Sequence, residues 1–96
     1  MLEADRIKHK ALRSFYATGN TKGINVDWVP KVERILQALD AMTHPEELYG
    51  VLGFDLHGLK GKRHGTWALK INKNYRVTFK WKDEGPYDVD MEDYHG

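Results

Sequence analysis

The chain has 96 residues, 41% of them hydrophobic and 30% charged, with a formal net charge of +1, and this balance predicts one globular domain spanning residues 1–96, because a second core would leave both halves too small to be stable. There is no cysteine, which excludes disulfides, thiolate zinc sites, iron–sulfur clusters and cysteine nucleophiles. Without an apolar run of about 20 residues or a signal-peptide pattern, we expect a cytoplasmic protein with no membrane partner.

The first half of the chain is predicted to be helical. Apolar residues spaced three and four apart predict an amphipathic helix over residues 7–17. Asp27 is a suitable N-cap for a second helix, which runs to about Met42 with Pro30 in its first turn. A capped turn indicates a short third helix over residues 43–49.

After residue 50 the hydrophobic period changes from 3.6 to two. The alternation predicts strands over residues 66–71 and 75–82, joined as an antiparallel hairpin by the turn of residues 72–74. A shorter strand is expected near residues 54–57. The final strand is expected to place Tyr87, Val89 and Met91 on one side. Helices followed by strands predict an α+β fold, in which two to three N-terminal helices pack on one face of a small antiparallel sheet.

The near-neutral net charge conceals two charged blocks. Residues 57–82 contain eight Lys/Arg and no acid, whereas residues 83–96 contain six acids and no Lys or Arg. If the apolar residues of the hairpin face the helices, the other sheet face is cationic and displays Lys70, Arg76, Thr78, Lys80 and Lys82. Clustered cations of this kind indicate a polyanionic partner such as RNA. The alternative for Lys80 and Lys82 is cross-strand pairing with Asp88 or Asp90, which we expect for part of the block.

RNA can be cleaved by its own 2′-hydroxyl when a scaffold supplies a base, a cation for the phosphate and an acid for the leaving oxygen. Residues of these types are His57, Lys60, Arg76, Asp93, Tyr94 and His95. A single histidine is more often a surface residue, however, and a terminal tail is often frayed. The histidines have no metal-ligand spacing and the glycines form no phosphate-binding motif, so we expect neither a metal nor a cofactor.

Four segments form a specific pattern when their order and spacing are taken together. They are IKHKAL at residues 7–12 followed by Phe15, LHGLKG at 56–61, GTWA at 65–68 through NYRVTF at 74–79, and EDYH at 92–95. Through them the chain resembles the HigB toxins, the host-inhibition or plasmid-killer branch of the RelE/ParE superfamily, over nearly its whole length. The resemblance implies a RelE-like, microbial-ribonuclease-type fold and a ribosome-dependent mRNA endoribonuclease that inhibits translation. It also implies a HigA-like helix-turn-helix antitoxin as a partner, and the toxin would contact operator DNA only indirectly, through this antitoxin. The other implied partners are the A site of the 30S subunit and the mRNA bound there.

The resemblance also implies which residues function. The histidine and lysine of the family's L-H-P-L-K-G loop, the arginine of its W-R-I-T-F strand and its terminal D-Y-H match His57, Lys60, Arg76, Asp93, Tyr94 and His95 in this chain. Two departures are notable. Gly58 stands where the family has proline, which would loosen the loop, and the chain ahead of Lys8 shows no clear first strand.

Residue chemistry and resemblance together predict a metal-independent mechanism. His95 or Asp93 would act as the base, and His57 would protonate the leaving oxygen or orient the phosphate; these base and acid roles are interchangeable. Lys60 and Arg76 would stabilise the transition state, while Tyr94 would stack on a base or bond the phosphate. Further RNA contacts are expected from Lys62, Arg63, Lys70 and Lys80.

Two alternatives involve no catalysis. One is an interaction protein, either a ParE-like gyrase poison or an inactive homologue that only binds its antitoxin. The other is a free-standing RNA-binding domain, which would bind RNA with a steep salt dependence and never cut it.

Overall fold

The computed structural model describes residues 2–83 and 85–93. Among them, the α-helices are α1 (Lys10–Thr18) and α2 (Val29–Ala41), and the strands are β1 (His57–Gly58), β2 (Thr66–Lys70), β3 (Tyr75–Lys82) and β4 (Gly85–Asp93). Short 3-10 helices occupy Ala4–Arg6, Val26–Trp28, Pro45–Gly50 and Gly61–Arg63. No helix in this part of the chain is long and apolar enough to cross a membrane.

The first helix starts three residues later than predicted. The Nδ1 atom of His9 accepts a hydrogen bond from the backbone N–H of Leu12 at 3.2 Å, so His9 caps the helix and does not belong to it. Ile7 lies ahead of this cap, buried, in an isolated parallel bridge with Val89. The missing first strand of the sequence pattern is therefore reduced to a single bridge.

The predicted cap of the second helix is wrong. Asn25 caps a 3-10 turn that precedes α2, because its side chain accepts from the N–H of Asp27 at 2.9 Å. The helix proper begins at Val29, with Pro30 in its first turn as expected. The third short helix is present as the 3-10 helix Pro45–Gly50.

The four strands form one antiparallel sheet in the order β1-β2-β3-β4. The β2–β3 hairpin is confirmed, and the short first strand is found at residues 57–58 rather than 54–57. The expected side of β4 is wrong for Tyr87. A register shift beside Asp88, which has φ +50°, places Tyr87 opposite Lys80, because a bulge inserts one extra residue and reverses the alternation.

The helices cover one face of this sheet. The buried core joins α1 and α2 to the sheet through Leu12, Phe15, Val32, Ile35, Leu36, Leu39, Leu69, Val77, Phe79 and Val89. This arrangement confirms the predicted α+β fold and leaves the opposite face of the sheet for other contacts.

Candidate functional site on the polar face of the sheet

The strand register assigns each side chain to one of two faces. Residues directly opposite each other in an antiparallel pair point to the same side of a sheet. Leu69 pairs with Val77, and Val77 with Met91, so these residues face the helices. The face that does not carry them, here called the polar face, consists of His57, Thr66, Ala68, Lys70, Arg76, Thr78, Lys80, Lys82, Tyr87, Asp90 and Glu92.

Arg76 lies in a row of this face between Lys70 and Glu92. The residue is only 8% exposed. Its Nη1 donates to the backbone carbonyl oxygens of Asn72 at 2.5 Å and Tyr75 at 3.1 Å, within the β2–β3 turn. These bonds fix the guanidinium in one position, so a permanent positive charge is held in place at the end of the hairpin.

His57 occupies the neighbouring row of the same face. It is opposite Ala68, which is opposite Thr78 on β3. His57 lies on β1 and Arg76 on β3, strands about 10 Å apart in the sheet, and the two residues are also separated by one row along the strands. The Nδ1 atom of His57 lies 3.3 Å from the carbonyl oxygen of Asp55. Because a carbonyl oxygen can only accept a hydrogen bond, this contact requires a proton on Nδ1.

Lys60 lies on the loop that leaves β1. The loop is attached to the sheet where the N–H of Leu59 donates to the carbonyl of Thr66 at 2.8 Å. Lys60 itself is exposed and precedes the 3-10 turn Gly61–Arg63. The ammonium group is therefore accessible to a ligand bound at the edge of the polar face.

The terminal residues of the predicted set are only partly described. Asp93 pairs with Tyr75 at the end of β4, which places it on the helix-facing side, opposite to Arg76. Tyr94 and His95 lie outside the described residues. The structure thus brings His57 and Arg76 to one face with Lys60 at its edge, and it does not place Asp93 with them.

Glu92 was not among the predicted site residues, yet it is central to this face. Both carboxylate oxygens accept from Arg63, at 2.9 and 2.7 Å, and one of them also accepts from the hydroxyl of Thr78. The hydrogen bonds from Arg63 and then Thr78 lower the pKa of Glu92, against the opposing effect of burial. The available signal was the alternation of β4, since Glu92 is two residues from Asp90 and shares its face.

The four residues predicted to contact RNA differ in their surroundings. The side chain of Arg63 is engaged by Glu92. Lys80 lies 3.7 Å from Asp88, which confirms the expected cross-strand pairing for this residue. Lys62 is exposed, whereas Lys70 is half-buried. A cleft of about 170 Å³ on this face is lined by Lys62, Arg63 and Lys80 together with Asp88, Asp90 and Glu92.

This cleft lies beside the predicted catalytic residues, since His57, Lys60 and Arg76 are not part of its lining. A shallow sheet face can bind an extended polyanion without a deep cavity, so these three residues, rather than the cleft, define the candidate site. Within the described ranges, no group of three or more histidines and carboxylates could hold a metal ion.

Two comparisons with known proteins place the chain among related sequences. A family model described as "RelE-like toxin of type II toxin-antitoxin system HigB" matches residues 5–95. The chain is also 36% identical over 88 residues to the protein named Endoribonuclease HigB from Proteus vulgaris. That match covers 92% of this chain and 95% of the Proteus protein.

Proposed function

The chain belongs to the family of RelE-like toxins of HigB type II toxin–antitoxin systems, and from this premise we propose that it is an endoribonuclease that cleaves mRNA on the ribosome and so inhibits translation. The observation that carries the proposal is the placement of Arg76 and His57 in neighbouring rows of the polar face. A fixed cation and an imidazole on one face supply two of the groups that phosphate-ester cleavage uses, one to stabilise the charge on the phosphate and one to transfer a proton.

Arg76 is proposed to stabilise charge on the phosphate in the transition state. Its guanidinium is already bound to backbone carbonyl oxygens and needs no rearrangement when RNA arrives. Donors that are oriented before the reaction stabilise a developing charge more strongly than donors that must reorganise. Lys60, exposed on the adjacent loop, is proposed to supply a second positive charge.

His57 is proposed to transfer a proton or orient the phosphate. Because Nδ1 is directed to the carbonyl of Asp55, proton exchange would take place at Nε2. His95 is proposed as the partner that accepts the proton of the 2′-hydroxyl, and Tyr94 as a group that stacks on a base. Asp93, which lies on the face opposite to Arg76, is the alternative for this role.

The proposed reaction uses the RNA's own 2′-oxygen as the nucleophile and needs no metal. The 2′-oxygen attacks the adjacent phosphorus, the bond from phosphorus to the 5′-oxygen breaks, and the leaving oxygen takes up a proton. The products are a 2′,3′-cyclic phosphate, or the 3′-phosphate after hydrolysis, and a 5′-hydroxyl. Lys62, Lys70 and Lys80 are proposed to attract the RNA backbone through their charge. Arg63, the fourth residue expected to contact RNA, is engaged by Glu92 instead.

As a type II toxin the protein has an antitoxin partner. We propose a HigA-like helix-turn-helix protein for this role, with operator DNA contacted only through it. The proposed substrate is mRNA in the A site of the 30S subunit, which places the action of the toxin in the cytoplasm.

Primer extension on an mRNA incubated with the protein, with and without translating ribosomes, tests the proposal. Cuts that require ribosomes support it. Equal cutting of free mRNA would contradict ribosome dependence, and intact mRNA together with gyrase-linked DNA breaks would favour a gyrase poison.

A further inference from the structure

A cluster of three side chains joins the loop after β1 to strands β3 and β4. Arg63 on the loop donates two parallel hydrogen bonds to Glu92 on β4, Nη1 to Oε1 at 2.9 Å and Nη2 to Oε2 at 2.7 Å. Thr78 on β3, which is 2% exposed, donates its hydroxyl to the same Oε2. One carboxylate therefore connects three separate elements.

The geometry of this cluster differs from that of an ordinary surface ion pair. A guanidinium and a carboxylate joined by two parallel bonds have a fixed mutual orientation as well as attraction. The Glu92 side chain is 27% exposed. By contrast, Lys80 and Asp88 on the same face are 3.7 Å apart, with side chains that are 45% and 56% exposed. Ion pairs as loose and exposed as this one contribute little to the stability of the fold.

The loop that Arg63 anchors is bonded to the sheet near its start and is closed on itself by a 3-10 turn. Its backbone hydrogen bonds include one to the sheet, from Leu59 to Thr66, and two within its own 3-10 turn, from Arg63 to Lys60 and from His64 to Gly61. The contact with Glu92 adds an attachment to β4 in the part of the loop that follows Leu59. Lys60 and Lys62 lie on this part of the loop.

We propose that Arg63, Glu92 and Thr78 form a positioning clamp, which holds the loop of residues 59–65 against the polar face so that Lys60 meets the phosphate beside Arg76. The inference rests on the proposed function. It makes Arg63 and Glu92 positioning residues, which act on the reaction through Lys60. The clamp also fixes β4 at Glu92, the residue immediately before Asp93, so the loop and the end of β4 keep a constant position relative to each other.

Limited trypsin digestion of the folded protein tests the clamp without any RNA. Trypsin cuts after Lys60 and Lys62 only when the loop opens, so Glu92→Gln is expected to accelerate these cuts by about tenfold or more. Asp88→Asn is the matched control, because it removes a carboxylate from the same face and breaks only the looser pair. Its loop is expected to be cut at the wild-type rate, and an unchanged rate in Glu92→Gln would overturn the clamp.

Cleavage kinetics on ribosome-bound mRNA provide the functional readout. A misplaced catalytic group lowers kcat, so Arg63→Gln and Glu92→Gln are each expected to lower kcat by about tenfold to a hundredfold with little change in KM. If the two residues act through each other, the double variant is no slower than the slower single variant. Asp88→Asn is expected to have a kcat within about twofold of the wild-type value.

The contrary result is equally specific. If Arg63 contacts RNA directly, Arg63→Gln raises KM while Glu92→Gln lowers it by releasing the guanidinium, and this pattern would overturn the clamp. Arg63 is on an exposed loop, with a side chain 48% exposed, so its variant retains the core and keeps the test valid if Glu92→Gln does not fold. If wild-type protein cuts no mRNA, the proposed function fails, while the trypsin digestion still decides whether the clamp exists.

Discussion

Replacing Arg76 by methionine removes the fixed charge of the proposed site and keeps an extended side chain. In the structure, the guanidinium is held by the carbonyl oxygens of Asn72 at 2.5 Å, Tyr75 at 3.1 Å and Lys73 at 3.4 Å, in a residue that is 8% exposed. Loss of one such oriented donor costs about 100-fold to 1000-fold in kcat, or about 3–4 kcal/mol of transition-state stabilisation. We therefore expect Arg76→Met to reduce single-turnover cleavage of ribosome-bound mRNA by that factor.

Two further variants isolate the cause. Arg76→Lys keeps the charge without the planar fork, so it is expected to fall between wild type and Arg76→Met. Lys73→Met removes an exposed cation from the same turn and is expected to cleave like wild type. Because Arg76→Met also loses hydrogen bonds of about 1 kcal/mol each, urea unfolding must confirm that the variant is folded in the assay. Cleavage by folded Arg76→Met within about threefold of wild type would refute the role of Arg76.

Three other predictions concern stability and follow from burial, backbone geometry and charge. Leu39→Ala in the core, where Leu39 is 0% exposed, is expected to lower the free energy of unfolding by about 2–5 kcal/mol, whereas Leu52→Ala, at a site 92% exposed, is expected to change it by less than about 0.5 kcal/mol; urea titration separates the two. Gly23→Ala places a Cβ 2.9 Å from the Cβ of Ala11 at a φ of +87°, and a loss of about 1–3 kcal/mol is expected in the same titration. The pKa of Glu92 is lowered from its usual 4.5 on folding, so its stabilisation is present above pH 4.5 and is lost as the pH falls through the folded value. Thermal unfolding at pH 3 and pH 6 should therefore show a smaller acid-induced loss for Glu92→Gln than for wild type, and equal losses would contradict the lowered pKa.

The fold class could be read from hydrophobic spacing, because helices and strands have different periods and this chain presents them in separate halves. The positions that spacing could not give are set by local hydrogen bonds and by tertiary pairing. The helical pattern of residues 7–17 places His9 on the solvent-exposed side of the helix, yet its side chain caps α1. Similarly, Tyr87 follows the alternation of β4 in the sequence, but the bulge beside Asp88 moves it to the other face.

Part of the candidate site could likewise be predicted from the sequence, and part of it could not. The cationic residues of the polar face follow from alternation in β3. His57 and Arg76 are candidates by residue type, and the family resemblance assigns them a function. The role of Glu92 depends on Arg63, which is 29 residues away in the chain, and single-sequence patterns carry no information about contacts at that separation. The same contact shows that a basic residue in the cationic block can be structurally engaged rather than free for RNA.

The central claim is that this protein cuts ribosome-bound mRNA through the 2′-hydroxyl, and the chemical identity of the new RNA ends tests it most directly. Fragments from a translating system should be collected and both ends at each cut analysed. The proposed mechanism predicts 5′-hydroxyl ends and 2′,3′-cyclic phosphate or 3′-phosphate ends at cuts that appear only when ribosomes are present. Fragments with 5′-phosphate and 3′-hydroxyl ends would contradict it, because those ends arise when water rather than the 2′-oxygen attacks the phosphate.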